Sequence, residues 1–326
     1  MILSYAGRLI CIAVLVGGLI HVFFEGFLWA MAPFALRMAG GLSTRQRERL
    51  LYVIQLAPVF AAVILACAVS IPQYVRSETN LRPESVGWLC IAGTAAVGIW
   101  YCFSLIRGLA VAARTVSFVR SCRRESNDVS FVHEDMPILS YPGKAYSVAL
   151  VGLFHPFILI SESLLGEGGL SPIAIDIVLD HEVSHARQLD NWKLFSLYCL
   201  PGLQLPLRNG KTWTQMWQSA AEWAADDDAV RSDNTRVLVL AETLVAVARR
   251  SGQHPNRVCM ALVSGEAELA VRVSRLIGGP NDAAASHSWS RVCGLAVGLA
   301  GLAGAMAGAM LFSHALLERL IHLGQA

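Results

Sequence analysis

Four stretches of the chain are apolar enough, and long enough at about 20 residues each, to cross a bilayer. They run over Leu9–Pro33, Leu50–Ile71, Gly87–Leu105 and Val292–Phe312. The segment between the third and fourth reads differently. Phe131–Leu139 and Tyr146–Ile160 have strand character, interrupted at Pro142-Gly143 and His155-Pro156. Ser171-Pro172 suits a helix start, and Ile175, Val178 and Leu179 then fall on one face. Ser219–Val230 is rich in Ala and free of Pro and Gly, so it reads as helix, as do Arg236–Arg250 and Gly265–Ile277. Phe195–Leu205 is apolar but short for a span and is broken by Pro201-Gly202. The pattern predicts a mainly α membrane protein with about four transmembrane helices and a central α+β domain carrying a small antiparallel sheet. The divisions fall at 1–110 (three spans), 111–290 (the central domain) and 291–326 (a last span and a short tail).

Composition agrees with the spans. Apolar residues make up 55%, charged residues 15%, and the mean hydropathy is +0.50. The first stretch lacks the basic cluster and cleavage site of a signal peptide. Arg37, Arg45, Arg47 and Arg49 follow the first span, and Arg107, Arg114, Arg120, Arg123 and Arg124 follow the third. Basic flanks stay in the cytoplasm. The expectation is therefore a multi-pass protein of a bacterial inner membrane, its N-terminus outside and its central domain cytoplasmic; Arg8 alone points the other way. A net charge of +2 gives no sign of a nucleic-acid partner. The eight cysteines contain no C-x-x-C pair, so reduced thiols are expected.

Candidate chemistry is concentrated in the central domain. His181-Glu182-Val183-Ser184-His185 places two imidazoles at i and i+4, on one face of a helix, where both reach a single ion. Glu182 then lies where a base would take a proton from water. Glu222-Trp223-Ala224-Ala225-Asp226 supplies a third ligand, Glu222, and places Asp226 one turn on, able to accept the other ring N–H of a ligand histidine. Three ligands leave a coordination position open, as in catalytic Zn2+ sites. Asp227 and Asp228 read as solvated. His21 and Glu25, one turn apart inside the first span, suggest a polar clasp with each other or with Gln55.

With HEVSH followed by Glu222-x-x-x-Asp226, the chain resembles the integral-membrane gluzincin metallopeptidases, and within them the BlaR/MecR antirepressor family. Val148–Ile160, Arg187-Gln188-Leu189-Asp190-Asn191 and Arg272-Val273-Ser274-Arg275-Leu276 resemble further stretches of that family. The resemblance implies a zincin-like cytoplasmic metallopeptidase domain, a zinc cofactor, and cleavage of a cytoplasmic protein, a repressor or other regulator, in response to a signal. Only Ser313–Ala326 follow the last span, so no penicillin-binding sensor domain is expected, and a separate sensor partner is. Arg272 is expected either to stabilise a developing oxyanion or to pair with an acid such as Asp226. A strand edge beside the zinc helix suits an extended peptide substrate. Two other readings stay open: a membrane quality-control or CAAX-type processing protease, and a non-catalytic zinc-stabilised scaffold.

Overall fold

The three N-terminal apolar stretches form helices that continue past their apolar limits. The computed structural model describes residues 2–78, 82–128, 133–142, 148–166, 168–202, 205–207, 209–250 and 266–278, with single positions 298, 301 and 305. Apart from those three positions, the predicted fourth span and its tail lie outside the described residues. A short strand β1 (Ile2–Leu3) leads into α1 (Tyr5–Ala39), whose N-terminus is capped by the Ser4 hydroxyl. α2 (Thr44–Leu65) opens with a reciprocal Ser43/Gln46 capping box. It continues through a π-helical turn, Ala66–Ser70, into α3 (Ile71–Ser77). Strand β2 (Glu84–Ser85) pairs antiparallel with β1, and α4 (Trp88–Glu125) follows. Tyr5–Ala39, Thr44–Arg76 and Trp88–Arg124 are long and apolar enough to cross a membrane. Arg8 is enclosed, with its guanidinium on Glu84 and the Arg82 carbonyl. The predicted clasp inside α1 forms with a different third partner. His21 Nδ1 lies 2.8 Å from the Tyr101 hydroxyl and Nε2 3.5 Å from Glu25, while Gln55 accepts from Thr214.

α4 runs without a break through 110–111, where the sequence divides the spans from the central domain. Its length gives α7 (Asp190–Cys199) a docking surface. At Gly108 a Cβ would collide with Cys199 Sγ and come within 3.1 Å of the Cys199 Cα, so this close approach favours glycine. Arg107 donates to the Tyr198 and Leu200 carbonyls at 3.0 and 2.8 Å and satisfies the end of α7.

The sheet corrects the expectation of an all-antiparallel arrangement. Strands β3 (Asn127–Asp128), β4 (Ile138–Tyr141), β5 (Val148–Val151) and β6 (Phe157–Ser161) form one sheet in the order β3-β4-β6-β5. β6 pairs antiparallel with β5 but parallel with β4. The cause is burial. All five residues of β6 are buried, so this strand takes the central position between its neighbours and displaces the simple β4–β5 hairpin. The reversal from β5 to β6 turns on Gly152 at φ +106°, where a side chain would meet the His155 carbonyl.

Helices cover both faces of the sheet: the end of α4 packs Phe118 and Cys122 against Val151, Phe157 and Leu159, and the later helices lie on the other face. A short α5 (Glu162–Leu165) precedes α6 (Pro172–Arg187), and α7 is followed by α8 (Trp213–Val230), α9 (Asn234–Arg250) and α10 (Glu266–Gly278). Ile138, Leu150 and Ile160 of the sheet share a core with Ile177 of α6, Leu244 of α9 and Leu276 of α10. A second core joins Leu51 of α2 to Leu194 and Leu197 of α7 and to Trp217 of α8. The longest helices and the central domain are thus packed together through α2 and α4.

Candidate metal centre

α6 and α8 meet at the centre of the domain. Ser171 accepts from the Ala174 N–H and Pro172 occupies the first turn, fixing where α6 begins and hence which face it buries. Ala174 to His185 then lies largely buried. α8 begins with a Thr212/Gln215 capping box. Ala220, Ala221, Ala224 and Ala225 are all but fully buried, and their small side chains let neighbouring helices approach closely. This brings Glu222 and Asp226 against the histidines of α6.

The geometry is convergent. His181 Nε2 and His185 Nε2 lie 3.2 Å apart. Glu222 presents its two carboxylate oxygens at 3.5 Å from His181 Nε2 and 3.7 Å from His185 Nε2. Each ring faces a different carboxylate with its other nitrogen: His181 Nδ1 is 3.1 Å from Asp226, and His185 Nδ1 is 2.8 Å from Asp190. A neutral imidazole has one N–H. With that proton on Nδ1, toward the carboxylate, both Nε2 lone pairs point at each other and at Glu222. Three acceptors then converge with no donor among them, which is repulsive unless a cation or a proton lies between. The donor set of two imidazole nitrogens and a carboxylate fits zinc.

The surrounding charges reinforce this. Burial disfavours a charged His181, but Asp226 and Glu222 outweigh it and lift its pKa to about 10, so the metal-free site draws in a proton. Burial would raise Asp226 and Glu222, yet Arg272 and the histidines hold both below the usual carboxylate range. Arg272 is fully buried. Its Nε and one terminal nitrogen donate to Asp226 at 3.0 and 2.6 Å, and the other terminal nitrogen sits 2.8 Å from Glu222. Of the two expectations for Arg272, pairing with Asp226 is the arrangement seen. Glu182, also fully buried, accepts the Leu150 N–H of β5 at 2.7 Å through Oε2. Its Oε1 has no hydrogen-bond partner among the described residues. Burial raises its pKa, against the opposing pull of His181 and His185.

Several residues of the site make contacts that the sequence does not assign to them. Asp190 lies just past α6, in the first turn of α7, and its side chain returns to His185. Asn191 donates to the Leu150 and Gly152 carbonyls at 3.2 and 3.0 Å, so the outer edge of β5 is engaged by Glu182 and Asn191. Asp227 and Asp228 are not simply solvated. Thr44 of α2 donates to Asp227 at 2.6 Å, Arg275 pairs with Asp227, and Arg45 and Ser184 both donate to Asp228. His133 belongs to a second cluster with Asp176 and Asp180 on the other side of α6, where Arg231 and Arg236 also bind.

No protein-family model matches the chain, and no curated protein matches it either.

Proposed function

We propose that the chain is a membrane-embedded, zinc-dependent endopeptidase. One observation carries the reading: His181 Nε2, His185 Nε2 and the Glu222 carboxylate converge within 3.2–3.7 Å, beside the buried carboxylate of Glu182. Zinc held there would supply Lewis acidity toward a peptide carbonyl and toward the attacking water. The chain's own groups do the rest. Asp190 is hydrogen-bonded to His185 Nδ1 and Asp226 stands 3.1 Å from His181 Nδ1, which favours Nε2 of each ring as the ligand atom. Arg272 holds Asp226 and Glu222 ionised and in place. Glu182 takes the proton of the attacking water through Oε1, with Oε2 anchored on the Leu150 N–H, and returns it to the leaving amine. Its raised pKa favours holding that proton between the two transfers. An extended peptide that pairs with β5 must compete with Asn191 for the Leu150 and Gly152 carbonyls.

The substrate we propose is a cytoplasmic regulator, a repressor in the signal-responsive case. The arginine-rich flanks favour a cytoplasmic centre, and the grip of α2 on α6 and α8 gives a membrane event a route to the site. The test is comparative proteomics of cells carrying the wild type or Glu182→Gln. Stabilisation of one cytoplasmic regulator supports the reading. Stabilisation of many membrane proteins replaces it with quality control, and an unchanged proteome together with full cleavage by Glu182→Gln removes the protease assignment.

A further inference from the structure

We infer that Glu48, on the membrane-directed helix α2, is a positioning residue for the ligand His185. The inference rests on the zinc reading above. Glu48 has no solvent exposure. Its Oε1 accepts from Lys193 Nζ at 2.8 Å and from Trp217 Nε1 at 3.0 Å. Lys193 Nζ also donates to Asp190 Oδ1 at 3.0 Å, and Asp190 Oδ2 accepts from His185 Nδ1 at 2.8 Å. A chain of four side chains therefore runs from α2 to the imidazole. Every link is within hydrogen-bond distance and alternates in charge.

The chemistry explains why the chain is built this way. The Nδ1–H of His185 must point at Asp190 if Nε2 is to be a ligand. Asp190 keeps that role only while Lys193 holds its other oxygen. Lys193 is flexible and can turn to solvent unless something fixes it, and Glu48 is the acceptor that does so. A carboxylate withdrawn wholly from water is costly to bury, and among apolar neighbours such as Leu51 and Leu194 packing gives no reason for one. The same two turns of α2 hold the other metal helices. Arg45 donates to Ser184, the residue before His185, and Thr44 to Asp227, the residue after Asp226. The start of α2 thus touches α6, α7 and α8, each within a few residues of the ligand cluster. A shift of α2 relative to these helices changes the set of Lys193 and so of His185.

The experiment uses the full chain, purified in detergent. Zinc affinity is measured by chelator competition, and the cobalt-substituted protein gives a visible spectrum. The proteins are wild type, Glu48→Gln, Lys193→Met and the double variant. Each single change should weaken zinc binding by about ten- to a hundredfold, as for other groups that orient a ligand from behind, and should shift the cobalt bands. The double variant should lose no more than the worse single, because both act through one path. Should Glu48→Gln fail to fold, Lys193→Met carries the test, since Lys193 is partly exposed. A lowered melting temperature with unchanged zinc affinity and cobalt spectrum would reduce Glu48 to a packing role and overturn the inference. So would losses that multiply in the double variant. Absence of His181-dependent zinc binding in the wild type would overturn both this inference and the zinc reading, whereas silent variants in a zinc-binding wild type overturn this inference alone.

Discussion

Two clusters flank α6, and they are built from nearly the same parts. One has His181 and His185 one turn apart with Glu222 from α8; the other has Asp176 and Asp180 one turn apart with His133 from before β4. Ligand spacing does not separate them. The placement of arginine does. At Asp180, Arg231 and Arg236 donate directly to the carboxylate, Arg236 reaches Asp176 as well, and His133 approaches Asp180 at 2.9 Å. Positive charge is already in the cluster. At the ligand cluster, Arg272 stands behind Asp226 and Glu222, and the Nε2 atoms face one another across a space that only a proton or a cation can fill. Residue type and spacing nominate a site, but the donors around it decide whether a cation is required.

The largest expected effect falls on the ligands. His181→Ala or Glu222→Ala should abolish stoichiometric zinc in the purified protein, measured by elemental analysis, while His133→Ala should leave it unchanged. Equal losses from both clusters would erase the contrast. Glu182→Gln should retain zinc and slow cleavage by about 10²–10⁴, read as turnover of the regulator once it is identified.

Asp226→Asn leaves a fully buried guanidinium without its bidentate partner. Breaking a buried pair in this way costs about 3–5 kcal/mol, visible in denaturant unfolding. Arg236→Met, where Arg231 and His133 still hold Asp180, should cost less, about 1.5–3 kcal/mol, and leave zinc affinity alone. A cost as large as that of Asp226→Asn would mean that the second cluster is the more tightly constrained.

The smallest effect is a pH trend. In the metal-free protein His181 titrates at about 10 against an ordinary 6.5, so its contribution to stability is full below about 6.5 and is lost as pH rises toward 10. Zinc must displace that proton, so its apparent affinity should rise by about tenfold per pH unit over the same range. Isothermal titration in buffers of different ionisation enthalpy counts the proton released. A pH-independent affinity would place the proton elsewhere.

Much of this site is legible in the sequence because it is local or periodic. His181 and His185 share a face by helix geometry, Glu222 and Asp226 do likewise, and the spans declare themselves by length. What the sequence hides is non-local. Lys193 and Glu48 are 145 positions apart, and Leu150 and Glu182 are 32 apart. No periodicity encodes either contact. The insertion of β6 between β4 and β5 is a pairing choice of the same kind, although its unbroken Phe157–Ile160 apolar run is a usable sign of a central strand. Asp227 and Asp228 look like a solvated helix end because their partners, Thr44 and Arg45, lie at the start of α2, 183 positions earlier.

X-ray absorption at the zinc edge, on the purified protein loaded with one equivalent, reads the ligand set itself. Two imidazole nitrogens at about 2.0–2.1 Å with the remaining ligands oxygen are expected, with loss of one imidazole signature in His185→Ala. Sulfur scattering near ~2.3 Å, or a spectrum unchanged by His185→Ala, would contradict that ligand set.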